Sequence, residues 1–507
     1  MSNIRRRNFL TGASALAVTA LAMPPQRALA AWRDEFVTYD GMGQAELVRS
    51  GQVSSLELTQ AAIKRVEKLN PILNAVVHKL YDEGRATAQA GLPNGPFKGV
   101  PYLIKDLSEL KDAPLTFGSK LFEYNVADGD NGSVERAKQA GLVIIGKTNT
   151  PEFGFISTTE SQLLGAARNP YNAAYHTGGS SGGAGAAVAS GMVPFAHASD
   201  GGGSIRIPAS VNGLVGLKPS RGRLYTNRPL RFPVDISVRL AVSRSVRDTA
   251  QILNVSEKKG SAATLDSVGF VSSASRKRLK IAFITKTYVG TDATPDVRDA
   301  TQRAAKTCAA LGHHVEEVND TIIGPEFGDN FMNIWASSAY ELVKNARLIG
   351  LRQWRWVNPD EVLEPFTHGL ADMFEKNITR DPDAVKKAVA YCGRVGEAYA
   401  AFFEKYDVLL TPTLRRPPLL IGEEGSHKSY EELAENVLDY VAYTPQYNAA
   451  GNPAISLPLY MSRNALPIGS QFAAKIGAEA TLLQLAYELE EAVPWGNRWP
   501  QISALKS

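Results

Sequence analysis

The chain has 507 residues, 44% of them hydrophobic and 21% charged, enough apolar sequence to bury a large core and too much for a disordered chain. Its 55 Lys and Arg oppose 51 Asp and Glu, and four of the arginines (Arg5, Arg6, Arg7, Arg27) fall in the first thirty residues, which hold no acid. Residues 31–507 are therefore formally neutral, which excludes the basic footprint of a nucleic-acid binder and a polybasic membrane surface. Two cysteines, Cys308 and Cys392, are too few for a disulfide framework, although one bridge between them stays open. No H-E-x-x-H or C-x-x-C spacing points to a metal.

Residues 1–30 read separately from the rest. A charged start, Arg5-Arg6-Arg7-Asn8-Phe9-Leu10, precedes an alanine-rich run to Met23 and the small-x-small site Ala28-Leu29-Ala30. The apolar run is too short to span a bilayer. It resembles a bacterial twin-arginine export signal, which implies a periplasmic or secreted mature protein with no membrane span; a short N-terminal anchor is the competing reading. Next, Ser54-Ser55-Leu56-Glu57 reads as a capped helix start, with the helix running to about Leu69. A short strand at Asn74–Val77 and a helix through Ala86 to Gln89 follow. Gly99 to Ile104 is apolar or aromatic after its first residue and leads straight into Lys105-Asp106, a buried strand ending in charge. Leu142 to Lys147 is another of the same kind.

Gly182 to Ser190 predicts a helix of small residues, Val193 to Ala198 a strand, and Gly201 to Ser204 a turn. Pro208 suits the first turn of a short helix, which sets Ser204 near a helix N-terminus. The basic run Arg276 to Lys280 reads as a solvated lead-in to a strand at Ile281–Ile284. Thr294 and Pro295 open a helix that Gly312 closes. His313 and His314, just beyond, would point to opposite faces of a strand and make poor joint metal ligands. Residues 327 to about 439 are helical and rich in aromatics (Phe331, Trp335, Trp354, Trp356, Phe366, Phe374), either a cover over a pocket or plain core. Val408–Leu410 and Pro453–Leu457 read as late strands. The pattern predicts an α/β fold: a mixed, mostly parallel central sheet covered by helices on both faces, in a single domain over 31–507 without repeats or linkers.

The residues that could carry chemistry lie in Gly178-Gly179-Ser180-Ser181-Gly182-Gly183 and Asp200-Gly201-Gly202-Gly203-Ser204-Ile205-Arg206-Ile207-Pro208. Ser180 and Ser204 stand 24 positions apart, each beside glycine, whose bare backbone lets amide groups converge on a developing negative charge. A flexible linker would be polar on both sides, whereas this stretch is embedded in apolar sequence. A serine nucleophile needs a base. The G-x-S-x-G match at Ser180 resembles a nucleophile elbow only in letters, because turn-forming Arg168-Asn169-Pro170-Tyr171-Asn172 stands where the elbow needs a strand. Lys105 is the other candidate: burial disfavours its ammonium form, and a hydroxyl between lysine and nucleophile both donates and accepts a proton.

Lys105, the two glycine-serine segments, Gly216-Leu217-Lys218-Pro219, Gly146-Lys147-Thr148-Asn149 and Gly451-Asn452-Pro453-Ala454 together resemble the amidase signature family of serine hydrolases. The match is most specific over about 99–222 and looser over roughly 40–500, with 230–440 variable. The resemblance implies Ser204 as acylated nucleophile, Ser180 as bridging serine after a cis peptide bond, Lys105 as general base and acid, and the amides of Gly201, Gly202, Gly203 and Ser204 as oxyanion donors. Asp200 and Arg206 are read as bracing that loop. Two positions depart from the family pattern: Gly201 is commonly larger, and Thr177 is commonly proline. The resemblance implies hydrolysis of a small-molecule carboxamide without cofactor or metal, and leaves homodimerisation open. Gly41 to Gly51 and Gly216 to Arg223 resemble the branch of the family that hydrolyses cyclic dimers of nylon oligomers, which implies aliphatic amides. Esters and carbamates, an amidotransferase subunit and a non-catalytic binder are the alternatives.

Overall fold

The computed structural model describes residues 34–225, 233–318 and 321–506; the export-type segment 1–30 lies outside them. A helix at Ser55–Leu73 opens on a capping box in which the Ser54 hydroxyl accepts from the Glu57 amide and the Glu57 carboxylate accepts from the Ser54 amide. It runs one turn past Leu69, through Pro71, and ends at Asn74 in a left-handed conformation. Three short strands follow: β1 (Val76–Lys79), β2 (Pro101–Lys105) and β3 (Val143–Thr148). They form a sheet in the order β1-β3-β2, with β2 and β3 parallel and β1 antiparallel to β3. Every residue of β2 is buried, Lys105 included. The strand thus carries the end of a charged side chain into the interior.

The larger sheet has eight strands: β4 (Phe195–Asp200), β5 (Val215–Lys218), β6 (Val238–Ser243), β7 (Lys280–Phe283), β8 (His314–Glu317), β9 (Val408–Pro412), β10 (Ala454–Met461) and β11 (Pro467–Ala473). Their order is β8-β7-β9-β11-β10-β5-β6-β4. The fold is α/β with a mixed sheet, but the expectation of mostly parallel pairing is corrected. Only β7 pairs in parallel, with β8 and β9, and the remaining neighbours are antiparallel. Two local causes account for this. β4 and β5, joined through the helix Arg206–Asn212, do run in the same direction, yet β6 inserts between them; and β10 and β11 form a hairpin across a tight turn.

α1 (Gly182–Ala189) is buried along its whole length. Small side chains are required there: a Cβ on Gly183 would stand 2.4 Å from the Asn149 amide nitrogen and 2.6 Å from the Ala75 carbonyl oxygen. The predicted helix from Pro295 runs to Ala310 with Thr294 as its N-cap and buries Cys308. Cys308 and Cys392 are both buried and free. Four helices build the cover: α2 (Phe327–Arg352), α3 (Pro365–Arg380), α4 (Ala384–Phe403) and α5 (Tyr430–Tyr440). Its aromatics divide three ways. Phe331, Trp335 and Phe366 line a pocket, Phe374 packs inside the cover, and Trp354 and Trp356 are exposed at 97% and 84%. Among the described residues no helix is long and apolar enough to cross a membrane.

Candidate active site

Three segments meet at the end of β2. Lys105, the last residue of that strand, is fully buried, and its Nζ donates to Ser180 Oγ at 2.7 Å and to Ser199 Oγ at 3.1 Å. Burial first, and then the charge of Arg239, hold its pKa well below the ordinary lysine value, against the pull of Asp200. Another buried lysine, Lys147, differs in one respect that matters: its Nζ makes a 2.6 Å ion pair with Asp106. A lysine facing a carboxylate is held as a cation, whereas one facing two hydroxyls is poised to lose its proton.

Ser180 is fixed by the turn in front of α1. The Gly179–Ser180 peptide is cis. Upstream, the Gly178 amide donates to His176 Nδ1 at 2.7 Å; the Gly178 carbonyl accepts from Thr159 Oγ1 at 2.8 Å, and that same hydroxyl oxygen accepts from the Gly182 amide. Asn172–His176 forms a strand, so the polar stretch before the glycines is not strand-free as expected. That strand belongs to a small hairpin with Arg168–Asn169 and not to a central sheet, so no elbow arises. Thr177, the departure from the family pattern, is buried and its carbonyl accepts from Asn212 Nδ2 at 2.8 Å.

Ser204 sits on the turn after β4, just ahead of the short helix Arg206–Asn212. Asp200 Oδ1 accepts from the Gly203 amide at 2.8 Å and Oδ2 from the Ile205 amide at 3.1 Å. Arg206 closes the other side of that carboxylate with Nε to Oδ2 at 3.0 Å and Nη2 to Oδ1 at 2.9 Å, and reaches Asn448 Oδ1, Gln471 Oε1 and the Thr444 carbonyl. Burial alone would raise Asp200, yet the charge and hydrogen bonds of Arg206, with the Asn448 hydrogen bond and the charge of Lys218, together outweigh it and leave the carboxyl at about 2. One consequence narrows the donor set read from the sequence: the Gly203 amide is already committed to Asp200, which leaves those of Gly201, Gly202 and Ser204. Gly203 itself has φ +136°, and a Cβ there would meet Thr444 Oγ1 at 2.4 Å.

Ser204 and Gly202 open into a narrow cleft of about 50 Å³, walled by Phe155, Ile207, Phe331, Trp335, Phe366 and Leu438 among others, with no charged side chain in its lining among the described residues. Ser180 packs against Gly154, one of the residues that line this cleft: a Cβ on Gly154 would lie 2.9 Å from Ser180 Oγ. The space left at Gly201 is taken by the indole of Trp335, whose Cζ3 would stand 3.1 Å from a Cβ there. Sequence reasoning missed Ser199, which has no glycine beside its own position to mark it. It also missed Trp335 as the filler of the Gly201 gap, and Asn448 and Gln471 as partners of Arg206.

The Amidase family model matches residues 57–483. The chain belongs to the amidase family. This amidase is 38% identical over 495 residues to the 6-aminohexanoate-cyclic-dimer hydrolase of Pseudomonas sp. strain NK87, covering 91% of this chain and 96% of that one. Among solved structures, a 6-aminohexanoate cyclic dimer hydrolase complexed with substrate superposes with a TM-score of 0.84 at 35% identity, over 92% of this chain and 99% of the other. A bacterial aryl acylamidase of the amidase signature family gives 0.81 at 27% identity, over 92% and 98%. The amidase is thus a hydrolase acting on carbon–nitrogen bonds.

Proposed function

We propose that this amidase hydrolyses an uncharged carboxamide through a Ser204 acyl-enzyme, with Ser180 and Lys105 moving the proton. The observation that carries the reading is the fully buried Lys105 amine 2.7 Å from Ser180 Oγ, with Ser180 packed against Gly154 in the wall of the cleft that Ser204 lines. Ser204 Oγ attacks the carbonyl carbon while its proton passes to Ser180 and that of Ser180 to neutral Lys105. The amides of Gly201, Gly202 and Ser204 hold the oxyanion, each such donor lowering the barrier by about 3 kcal/mol. The carbon–nitrogen bond breaks as Lys105 returns the proton through Ser180 to the leaving amine, and water then releases the acid from Ser204.

The lining without charge favours linear or cyclic aliphatic amides, in line with the similarity to cyclic-dimer hydrolases. It also counts against an amidotransferase role, since the charged ends of a glutamine donor would be buried there unpaired. Esters and carbamates fit the same chemistry. A fluorophosphonate is expected to label Ser204 in the wild type and not in Ser204→Ala, and a wild type that resists labelling and hydrolyses no amide, ester or carbamate refutes the proposal. The twin-arginine-type leader supports export. Replacing Arg6 and Arg7 together by lysine should retain the protein in the cytoplasmic fraction, and unchanged fractionation overturns that assignment.

A further inference from the structure

Among the described residues that line the cleft, Ser157 is the one with a polar side chain besides Ser204 and Trp335. The Ser157 hydroxyl donates to Oε2 of Glu424, a residue only 1% exposed. Thr158 Oγ1 fixes the same segment by donating to the Glu424 carbonyl at 2.9 Å, and Glu424 Oε1 has no hydrogen-bond partner among the described residues. A carboxylate held out of water on one hydroxyl is a liability to the fold, which argues for a task at the cleft. A hydroxyl owns one proton and two lone pairs. With that proton drawn to Glu424, what Ser157 has left for a ligand is acceptor capacity.

We propose that Ser157, backed by Glu424, is a hydrogen-bond-accepting subsite that selects amide substrates carrying a second N–H donor away from the scissile carbonyl, as in diamides and oligoamides. This rests on the Ser204 hydrolase reading. Burial lifts the Glu424 carboxyl to about 7; the Ser157 bond and Arg416 pull it down, while Glu160 and Glu423 push it up. Above that range the carboxylate holds the Ser157 proton. Below it, the protonated carboxyl donates to Ser157 Oγ, and the hydroxyl turns its own proton to the cleft.

The test uses p-nitroanilides whose acyl chains hold, at successive positions, either a secondary amide or its ketone isostere with CH2 replacing N–H; matched amine-side pairs cover the leaving group. At about pH 9 the best-placed amide should exceed its isostere in kcat/KM by about tenfold. The ratio should shrink at about pH 6, and Ser157→Ala should bring it near one. Ratios near one at every position in the wild type, a ratio retained in Ser157→Ala, or a ratio at least as large at about pH 6 each overturn the subsite. In those cases turnover of both series leaves the hydrolase reading standing. No turnover of either series, with no fluorophosphonate labelling of Ser204, overturns the hydrolase reading and the subsite with it.

Discussion

Replacing Asp200 by asparagine keeps the outline of the side chain and removes its charge, and the consequence can be worked from its contacts. Both carboxylate oxygens are saturated by donors: Gly203 N, Arg206 Nη2 and Asn448 Nδ2 on Oδ1, Ile205 N and Arg206 Nε on Oδ2. An asparagine NH2 must therefore face donors whichever way it is turned. The carboxyl is displaced from the ordinary 3.8 to about 2; at about 1.4 kcal/mol per tenfold change in proton affinity, ionised Asp200 contributes on the order of 2 kcal/mol at neutral pH. Because the folded value is depressed, that contribution is present above the ordinary carboxylate range and is lost as pH falls through about 2. Stranding the fully buried Arg206 without its counter-ion raises the cost toward 3–5 kcal/mol.

Urea unfolding at pH 7 should therefore place Asp200→Asn about 2–5 kcal/mol below the wild type, with the gap narrowing as pH falls from about 4 through about 2. The turn that presents Ser204 loses its anchor at the same time. Fluorophosphonate acylation should slow by about a hundredfold or more, the scale of one lost oxyanion donor. A variant within about 0.5 kcal/mol of the wild type that acylates at the wild-type rate would refute the bracing role of this carboxylate.

Lys105→Met should lower kcat/KM by about 10²–10⁴. On the proposed mechanism the amine works only when neutral, so activity should fall on the acid side at a pH well below that of an ordinary lysine; a pH–rate profile limited only near 10.5 counts against a lysine base. Gly201→Ala brings a methyl to 3.1 Å from Trp335 Cζ3, and that indole is held by Nε1 donating to the Phe155 carbonyl at 3.3 Å and by stacking on Phe331. About tenfold lower kcat/KM is expected, recovered by Trp335→Phe in the same chain; equal losses with and without that second change would exclude the steric cause. Glu152 and Glu364 form a buried pair between the core and the cover: the Glu152 carboxylate accepts from the Glu364 amide and from Ser119 and Thr367 hydroxyls. Burial raises both above the ordinary carboxyl range, and the charge of Glu152 raises Glu364 further. A raised carboxyl adds stability at acid pH that is lost as pH climbs through its folded value. Glu364→Gln should raise Tm at about pH 9 and leave it unchanged at about pH 5, and the reverse pattern would contradict the assignment.

What could be read ahead of the structure was whatever a few neighbouring residues determine. Lys105 was legible because the run from Val100 to Ile104 dictates a buried strand and the charge comes at its end. The capping box at Ser54 and the Pro295 helix start were legible for the same reason. Ser199 was not, since its meaning depends on β4 packing beside β2 from a separate sheet, a contact no local pattern encodes. Arg206 was legible as a brace but its partners Asn448 and Gln471 were not, being more than 200 positions away. The sheet was misjudged toward parallel because continuous apolar strands announce burial on both faces, and β6, which slips between β4 and β5, is buried in the same way without being parallel to either.

The same distinction explains why the reaction is easier to infer than the substrate. Lys105 and Ser180 come from segments fixed against one another by a buried strand and a glycine turn, and Ser204 follows Ser199, which Lys105 also reaches, so a chain that keeps those segments keeps that arrangement. The cleft wall draws on residues 154–157, on Phe331 and Trp335 from α2, on Phe366 from α3 and on the stretch from Ala434 to Pro445. Those positions touch only after the cover has folded over the core, and one exchange there changes shape without disturbing Lys105. Trp335 makes the point concretely: it occupies the volume that Gly201 vacates, so the size of the proposed oxyanion turn and the width of the cleft are set jointly by two residues 134 positions apart. Substrate preference should therefore respond to paired changes across that contact more strongly than to either single change.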